Sequence, residues 1–396
     1  IFVGGAFTIL EQAGVLKAFI DLVVRRFRRR RYLLMALLQF FFMAVASALG
    51  IYEAMVPLIV FIVPLAIALG WDSLTGLGMS LLPLAFGFSA AVFNPFTIGV
   101  AQRIAGLPLF SGAGLRVVFF AITYVAVFLF VSRYARRLDR EPARSLVYRE
   151  DAEIRREVQS DQDEGGVEAG HENARLSTPQ RRALIWFASA MAIAFGFILV
   201  TARMPALTDL AFPLMALLFL IGGIGAGVLS GLGVGGTARS FFSGALQILP
   251  GVVLIMMALS VRHIVDQGGI TDTVLYYASS LIEGTSSYVS AFLVYLVTFV
   301  MNFFIGSASA KAFLMMPILA PLSDLVGITR QTAVLAFDFG DGFSNMLFPT
   351  NALLLIGLGL TTVTYPRWIR WTIPIQLVVF LVSAAFLVIA VAIDYG

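Results

Sequence analysis

The chain of 396 residues contains no cysteine. That excludes disulfides, thiolate nucleophiles and zinc held by cysteines. Histidine is nearly absent too: His171 lies in a polar stretch and His263 at the end of an apolar run, so the two cannot build a metal cluster together. Charge is sparse, 13% of residues, where soluble domains carry about 25%. The chain opens on Ile1 rather than an initiator methionine, with no signal-peptide pattern, and its true N-terminus is expected upstream.

What fills the chain is apolar: 59% of residues are hydrophobic and the mean hydropathy is +0.92. Apolar runs at 183–202, 211–232, 241–262, 288–306 and 371–393 are each long enough to cross a hydrocarbon core of ~30 Å as a helix. The fold class expected is an all-α polytopic membrane protein. Of the 50 acidic and basic residues, 22 fall between Arg133 and Arg182. That segment holds DQDEGGVEAGHEN and reads as a flexible loop, dividing an N-terminal half, 1–132, from a C-terminal half, 183–396. The sequence pI near 9.5 does not point to nucleic acid, because the arginines gather at helix ends: Arg25–Arg31, Arg133/Arg136/Arg137, Arg181/Arg182, Arg239 and Arg367/Arg370. The positive-inside rule places those ends, and the loop 133–182, in the cytoplasm.

The halves echo one another. EQAG at 11–14 matches DQGG at 266–269; SALGIYEAMVP (47–57) matches SASAKAFLMMP (307–317); GFSAAVFNPFT (87–97) matches GFSNMLFPTNA (342–352). Three landmarks in one order at a nearly constant offset predict an internal repeat. In each half, two apolar arms around a small-residue tip (32–69 and 288–328) form a re-entrant hairpin. Each is followed by a segment broken at a proline, Asn94-Pro95 or Pro349. Threading these crossings with every arginine cluster on one side inverts the second repeat relative to the first. The offset also leaves about one and a half helices of the first repeat expected ahead of Ile1.

Backbone can leave helical form at membrane depth only where protein or a water-filled cavity satisfies it. Paired broken helices in inverted repeats point to a midplane site in secondary transporters. Pro95 and Pro349 break the i→i−4 ladder. Around them Asn94, Thr97, Asn345, Thr350 and Asn351, with Ser47, Gly50, Ser307 and Ser309 from the hairpin tips, supply candidate substrate contacts. Ser89 and Ser344 are candidate ligands for a coupling ion. Each serine or glycine taken singly could equally serve helix packing; the clusters at both breaks argue for a site. Lys311 is read either as counter-charge to a substrate carboxylate or as structural partner of Asp338 or Asp341. Glu53 could take a proton, a coupling cation or a cationic substrate group, or simply sit at the interface. Asp341 could bind Na⁺ or a substrate amine. No cofactor is expected beyond Na⁺ or H⁺ as coupling ion.

Other motifs fail on context. DFG at 338–340 lacks the companions of a kinase. GGIGAGVLSGLGVGG at 222–236 follows a spanning helix rather than a strand, so no dinucleotide site is implied. DFGD lacks the glycine pattern of an intramembrane aspartyl protease, and nothing beyond Ser307 and Lys311 suggests a hydrolase. An ion channel needs a continuous pore rather than paired dead-end hairpins.

NPFTIGVAQRIAGLPL (94–109) and GSASAKAFLMMPILAPLSDLVGITRQTAVLAFDFGDGFSNMLFPTN (306–351) resemble the YfcC/DcuC-type carriers of the ion-transporter superfamily. GSASAK is similar as well to the aminobenzoyl-glutamate transporters. The resemblance covers nearly the whole chain. It implies a homodimer-forming scaffold, a moving transport domain with two hairpins and two broken helices, and secondary transport in a bacterial inner membrane, not enzymatic chemistry. The cargo implied is a small carboxylate-bearing metabolite, a basic amino acid ahead of a four-carbon dicarboxylate.

Overall fold

A computed structural model describes residues 2–50, 52, 55, 58–156, 177–201, 211–246 and 284–396, with scattered positions between 260 and 282. All regular structure among these residues is helical. The helices are α1 (Phe2–Gln12), α2 (Val15–Phe27), α3 (Arg31–Leu49), α4 (Ile59–Ala68), α5 (Ser73–Met79), α6 (Leu81–Ala90), α7 (Ile98–Ile104) and α8 (Ala113–Arg140). They continue with α9 (Thr178–Thr201), α10 (Ala211–Ser230), α11 (Ser287–Phe304), α12 (Ala308–Leu325), α13 (Arg330–Gly342), α14 (Ala352–Gly359) and α15 (Tyr365–Ala392). A helical stretch at 233–246 follows α10.

Five segments are long and apolar enough to cross a membrane: Arg31–Leu49, Ser73–Ala90, Ala113–Arg140, Ser287–Phe304 and Tyr365–Ala392. Ser73–Ala90 is buried along its full length and forms the centre of the bundle. On α8 and α15, by contrast, Val118, Val125, Leu129, Leu377 and Leu381 stand exposed. A stripe of this kind suits lipid contact. With 28 residues each, α8 and α15 are about 42 Å long at 1.5 Å per residue. The surplus over the hydrocarbon core carries α8's last turns, with Arg133, Arg136, Arg137 and Arg140, beyond it.

Both expected hairpins close at their mouths. Arg31 at the start of α3 donates from Nη1 to the Leu69 carbonyl just past α4, at 3.0 Å. Ser287 at the start of α11 donates to the Val326 carbonyl just past α12, at 3.2 Å. The first tip turns at Gly50, whose φ of +66° ends α3 in the left-handed region. A side chain there would also collide with Asn94, 2.1 Å from the position a Cβ would take, so glycine serves conformation and close approach together. After each hairpin comes a broken segment: α6, an irregular 91–97, then α7; and α13, a 3₁₀ turn Phe343–Met346, an irregular 347–351, then α14. The same succession of elements thus occurs in both halves.

The charged segment departs from the flexible loop expected at 133–182. Residues 133–140 are the last turns of α8, and the chain stays ordered to residue 156. Asp151, fully buried, accepts from Ser73 N (2.8 Å), Ser73 Oγ (2.6 Å) and Thr362 Oγ (2.5 Å). Asp72 caps α5 through Thr75 N and accepts from Tyr134 and Ser145, both at 2.7 Å. Asp139 pairs with Arg31 at 2.8 Å and accepts from Trp71 at 3.0 Å. Glu150 pairs with Arg367 at 2.7 Å. Acidic residues that look solvated in sequence are consumed here as caps and clasps between distant elements. The low-complexity run itself, 161–173, lies outside the described residues, as do Glu53 and His263.

Candidate functional site

Opening a helix inside a protein strands backbone groups, and each stranded group must find a partner. At the first break α6 ends on Ala91, held at φ +34°, a strained value for a residue with a Cβ. Hairpin 1 satisfies the next two amides: Ser47 Oγ accepts from Val92 N at 3.0 Å and the Ser47 carbonyl from Phe93 N at 3.1 Å. Asn94 Oδ1 accepts from Phe96 N and Thr97 N, at 2.9 and 3.3 Å. Two long-range donors complete the break. Arg116 on α8 reaches the Val92 carbonyl at 3.2 Å, and Ser309 at the tip of hairpin 2 donates to the Phe96 carbonyl at 2.8 Å.

At the second break Asn351 is the N-cap of α14, its Oδ1 accepting from Leu353 N and Leu354 N at 3.0 and 3.2 Å. Its Nδ2 donates to Asn345 Oδ1 at 2.7 Å. Thr350 Oγ donates to the Phe303 carbonyl at 2.6 Å, next to the hairpin 2 tip. Tyr365 and Trp368 of α15 donate to the Leu347 and Met346 carbonyls, at 2.5 and 2.9 Å. Asn351→Ala is expected to destabilise the protein by about 1–2 kcal/mol through loss of the cap, read as a lowered unfolding midpoint in detergent. Asn351→Asp keeps the cap acceptor but loses the Nδ2 bond to Asn345, so it should recover only part of that loss; an unchanged midpoint in Asn351→Ala would refute the capping role.

The two breaks are brought together. Hairpin 2 meets the first break through Ser309, and α6 crosses α13 so closely that a Cβ on Gly342 would lie 2.1 Å from Ser89 Cα. At the centre Lys311 Nζ forms an ion pair with Asp341 Oδ1 and donates to Asn302 Oδ1 at 2.6 Å. Asn302 Nδ2 in turn donates to Ser344 Oγ at 2.6 Å and Asn345 Oδ1 at 3.1 Å. Ser344 and Asn345 also donate back to carbonyls of α13, at 2.7 Å to Gly340 and 3.0 Å to Asp341. Lys311, Asp341 and Ser344 are fully buried, and Asn302 and Asn345 nearly so.

Several buried polar atoms beside this network have no hydrogen-bond partner among the described residues: Asp341 Oδ2, both oxygens of Asp338, Ser89 Oγ, Thr97 Oγ and Asn94 Nδ2. Thr97 approaches the Asp338 carboxyl without reaching hydrogen-bond geometry, and Arg116 and Asp341 are the charges that act on it. A row of charge, with cations at its ends (Arg116 and Lys311) and two carboxyls between them (Asp338 and Asp341), therefore links α8, α13 and α12. An unpartnered buried carboxyl is costly unless a proton or a cation meets it. The site thus has a neutralised pair at its centre and free acceptor capacity at its edge.

Of the residues singled out in sequence, Ser47, Gly50, Asn94 and Thr97 form the first break and Asn345, Thr350 and Asn351 the second. Ser309, Lys311, Asp341, Ser344 and Ser89 join the two. Ser307 is a helix cap, accepting from Ala310 N at 3.4 Å. Two residues outside that set prove central, Asn302 and Arg116, and so does Asp338, read in sequence only as an alternative partner of Lys311. Asn302 carries a readable signal, a lone amide in VTFVMNFFIG just before a hairpin tip. At the far ends of the broken segments, Arg330 binds the Ala105 carbonyl at 2.9 Å and pairs with Asp324 at 2.7 Å. Its hydrogen bonds hold the Asp324 carboxyl below the ordinary carboxylate range.

Comparison with known proteins shows the family of the chain. The family described as C4-dicarboxylate anaerobic carrier, DcuC, matches residues 1–392. YfcC of Escherichia coli, named as a candidate basic amino acid antiporter, is 31% identical over 99% of this chain and 76% of its own length. An uncharacterized protein of Haemophilus influenzae is 27% identical over 98% of this chain and 74% of its own. Among solved structures, the YdaH transporter of Alcanivorax borkumensis is 17% identical with a TM-score of 0.49, covering 100% of this chain and 85% of that one. Because the family match runs almost from end to end, and YfcC aligns with nearly every residue, the chain belongs to the DcuC family of membrane transporters.

Proposed function

We propose that the protein is a secondary transporter of a small carboxylate-bearing metabolite, a basic amino acid above all, exchanged or cation-coupled by alternating access. The carrying observation is the buried Lys311–Asp341 pair between hairpin 2 and the second break, with orphaned acceptors beside it. A zwitterion can open such a pair without leaving either charge alone: its carboxylate replaces Asp341 at Lys311, and its ammonium replaces Lys311 at Asp341. Exchanging like for like in this way limits the desolvation penalty. A basic side chain would add a second cation, for which Asp338 is the available counter-charge. Asp341 Oδ2 and Ser89 are the groups for a coupling Na⁺ or H⁺. The inverted arrangement of the two repeats, the cytoplasmic placement of the arginine-rich ends, a bacterial inner membrane and a homodimer complete this reading. The bacterial relatives and the arginine distribution support it.

The family's description favours a second cargo, a four-carbon dicarboxylate. Proteoliposome uptake separates the two. Labelled arginine is expected to enter, faster when arginine or ornithine is loaded inside, while succinate does not compete. Uptake of succinate with indifference to arginine would overturn the ranking and leave a dicarboxylate carrier. Currents at channel rates would overturn the transporter itself.

A further inference from the structure

Away from the breaks, a cavity of about 550 Å³ opens between the arginine-rich end of α8 and the start of α15. Four guanidinium groups line it: Arg133 and Arg137, one helical turn apart on α8, Arg144 from the 3₁₀ turn Pro142–Arg144, and Arg370 from α15. Only Arg144 has an acidic partner among the described residues, Glu141 at 2.6 Å. The other nearby acids are engaged elsewhere: Asp72 by Tyr134, Ser145 and Thr75, Asp139 by Arg31 and Trp71, Glu150 by Arg367. Among the described residues, the other three arginines that line this hollow form no ion pair. Trp371, nearly fully buried, and Tyr134 add aromatic surface to the lining.

The position narrows the class of ligand. Phe130 and Pro374 line the cavity, and the next turns of the same helices carry the exposed Leu129, Leu377 and Val378. The hollow thus sits where the lipid-facing stripe of α8 and α15 gives way to the charged end of the bundle. Guanidinium groups in a fork, over an aromatic floor and beside acyl-chain surface, match a phosphate carried by a lipid. We propose that this cavity is a binding site for the phosphate of an anionic phospholipid headgroup, held chiefly by Arg133, Arg137 and Arg370. The chemistry recognised is a phosphate oxyanion, which a soluble phosphate shares. The site is independent of the substrate proposed above.

The purified full-length chain in detergent, offered phosphatidylglycerol and phosphatidylcholine of identical acyl chains, reads the proposal by native mass spectrometry. The protein is expected to retain phosphatidylglycerol over phosphatidylcholine. The double substitution Arg133→Gln/Arg370→Gln should reduce that preference on the order of thirtyfold. Arg133→Lys/Arg370→Lys keeps the charge that orients the helices but loses the forked donors. It should weaken retention severalfold, and it decides the matter if the glutamine variant does not insert. In a second arm, thermal unfolding is followed with inorganic phosphate. Stabilisation lost in the glutamine variant, without any headgroup preference, supports the oxyanion site with a soluble occupant. Equal retention of both lipids without a phosphate response, or a lipid preference that both variants keep, overturns the proposal.

Discussion

Lys311→Met is expected to destabilise the protein by about 3–5 kcal/mol, because it leaves Asp341 charged, buried and facing Asp338 without its counter-ion. Asp341→Leu, which strands Lys311 instead, should cost a similar amount. Both side chains are fully buried, so water cannot compensate either loss. The double substitution Lys311→Met/Asp341→Leu removes both charges and should return the unfolding midpoint close to the parent value, since a buried pair replaced by apolar groups is often neutral. Transport should be lost in all three. That pattern separates folding from function: stability recovers in the double variant while uptake does not. If the double variant remains as unstable as the singles, the pair is not the coupled unit described. If it transports, the substrate does not bind between these charges.

Gly342→Ala should be nearly as damaging with no charge involved. Its Cβ would lie 2.1 Å from Ser89 Cα and 2.4 Å from Ser89 N. Those are main-chain atoms and cannot swing aside, so α6 and α13 must separate. Overpacking of this kind costs about 1–3 kcal/mol, and the upper end is expected here. The separation would also displace Asp338 and Asp341 from Lys311, so uptake should fall more than stability alone predicts. Gly114→Ala is the matched control. No atom lies within 4 Å of the added methyl, and a helical alanine should be neutral or stabilise by up to about 1 kcal/mol. Equal behaviour of the two variants in unfolding and uptake would remove the close crossing from the account.

The hairpins and breaks are legible in the sequence because their signals are local. Pro95 and Pro349 interrupt apolar runs, Gly50 and Ser307 mark tips, and small polar residues gather where a spanning helix has no use for them. The partners of those breaks are not legible. Nothing in the sequence singles out Arg116, and only the packed structure brings it to the Val92 carbonyl and toward Asp338. Asp338 looks like an ion-pair alternative to Asp341, yet only Asp341 reaches Lys311. The segment 133–156 misleads for the same reason. Its composition suggests a solvated loop, while the donors that make it ordered sit tens to hundreds of residues away, on Arg31, Ser73 and Thr362. Local chemistry announces where a chain must leave regular form; long-range packing decides what receives the groups set free.

The bond from Ser309 to the Phe96 carbonyl has a mechanical corollary. Together with Ser47 it fastens two hairpin tips, from opposite halves of the chain, onto the same seven-residue interruption between α6 and α7. Neither tip can slide without tugging the interruption, and the interruption cannot straighten without releasing both. Any excursion that separates the two breaks must either carry all three pieces as one block or sever these bonds together, so partial loosening of a single half is the movement this architecture resists.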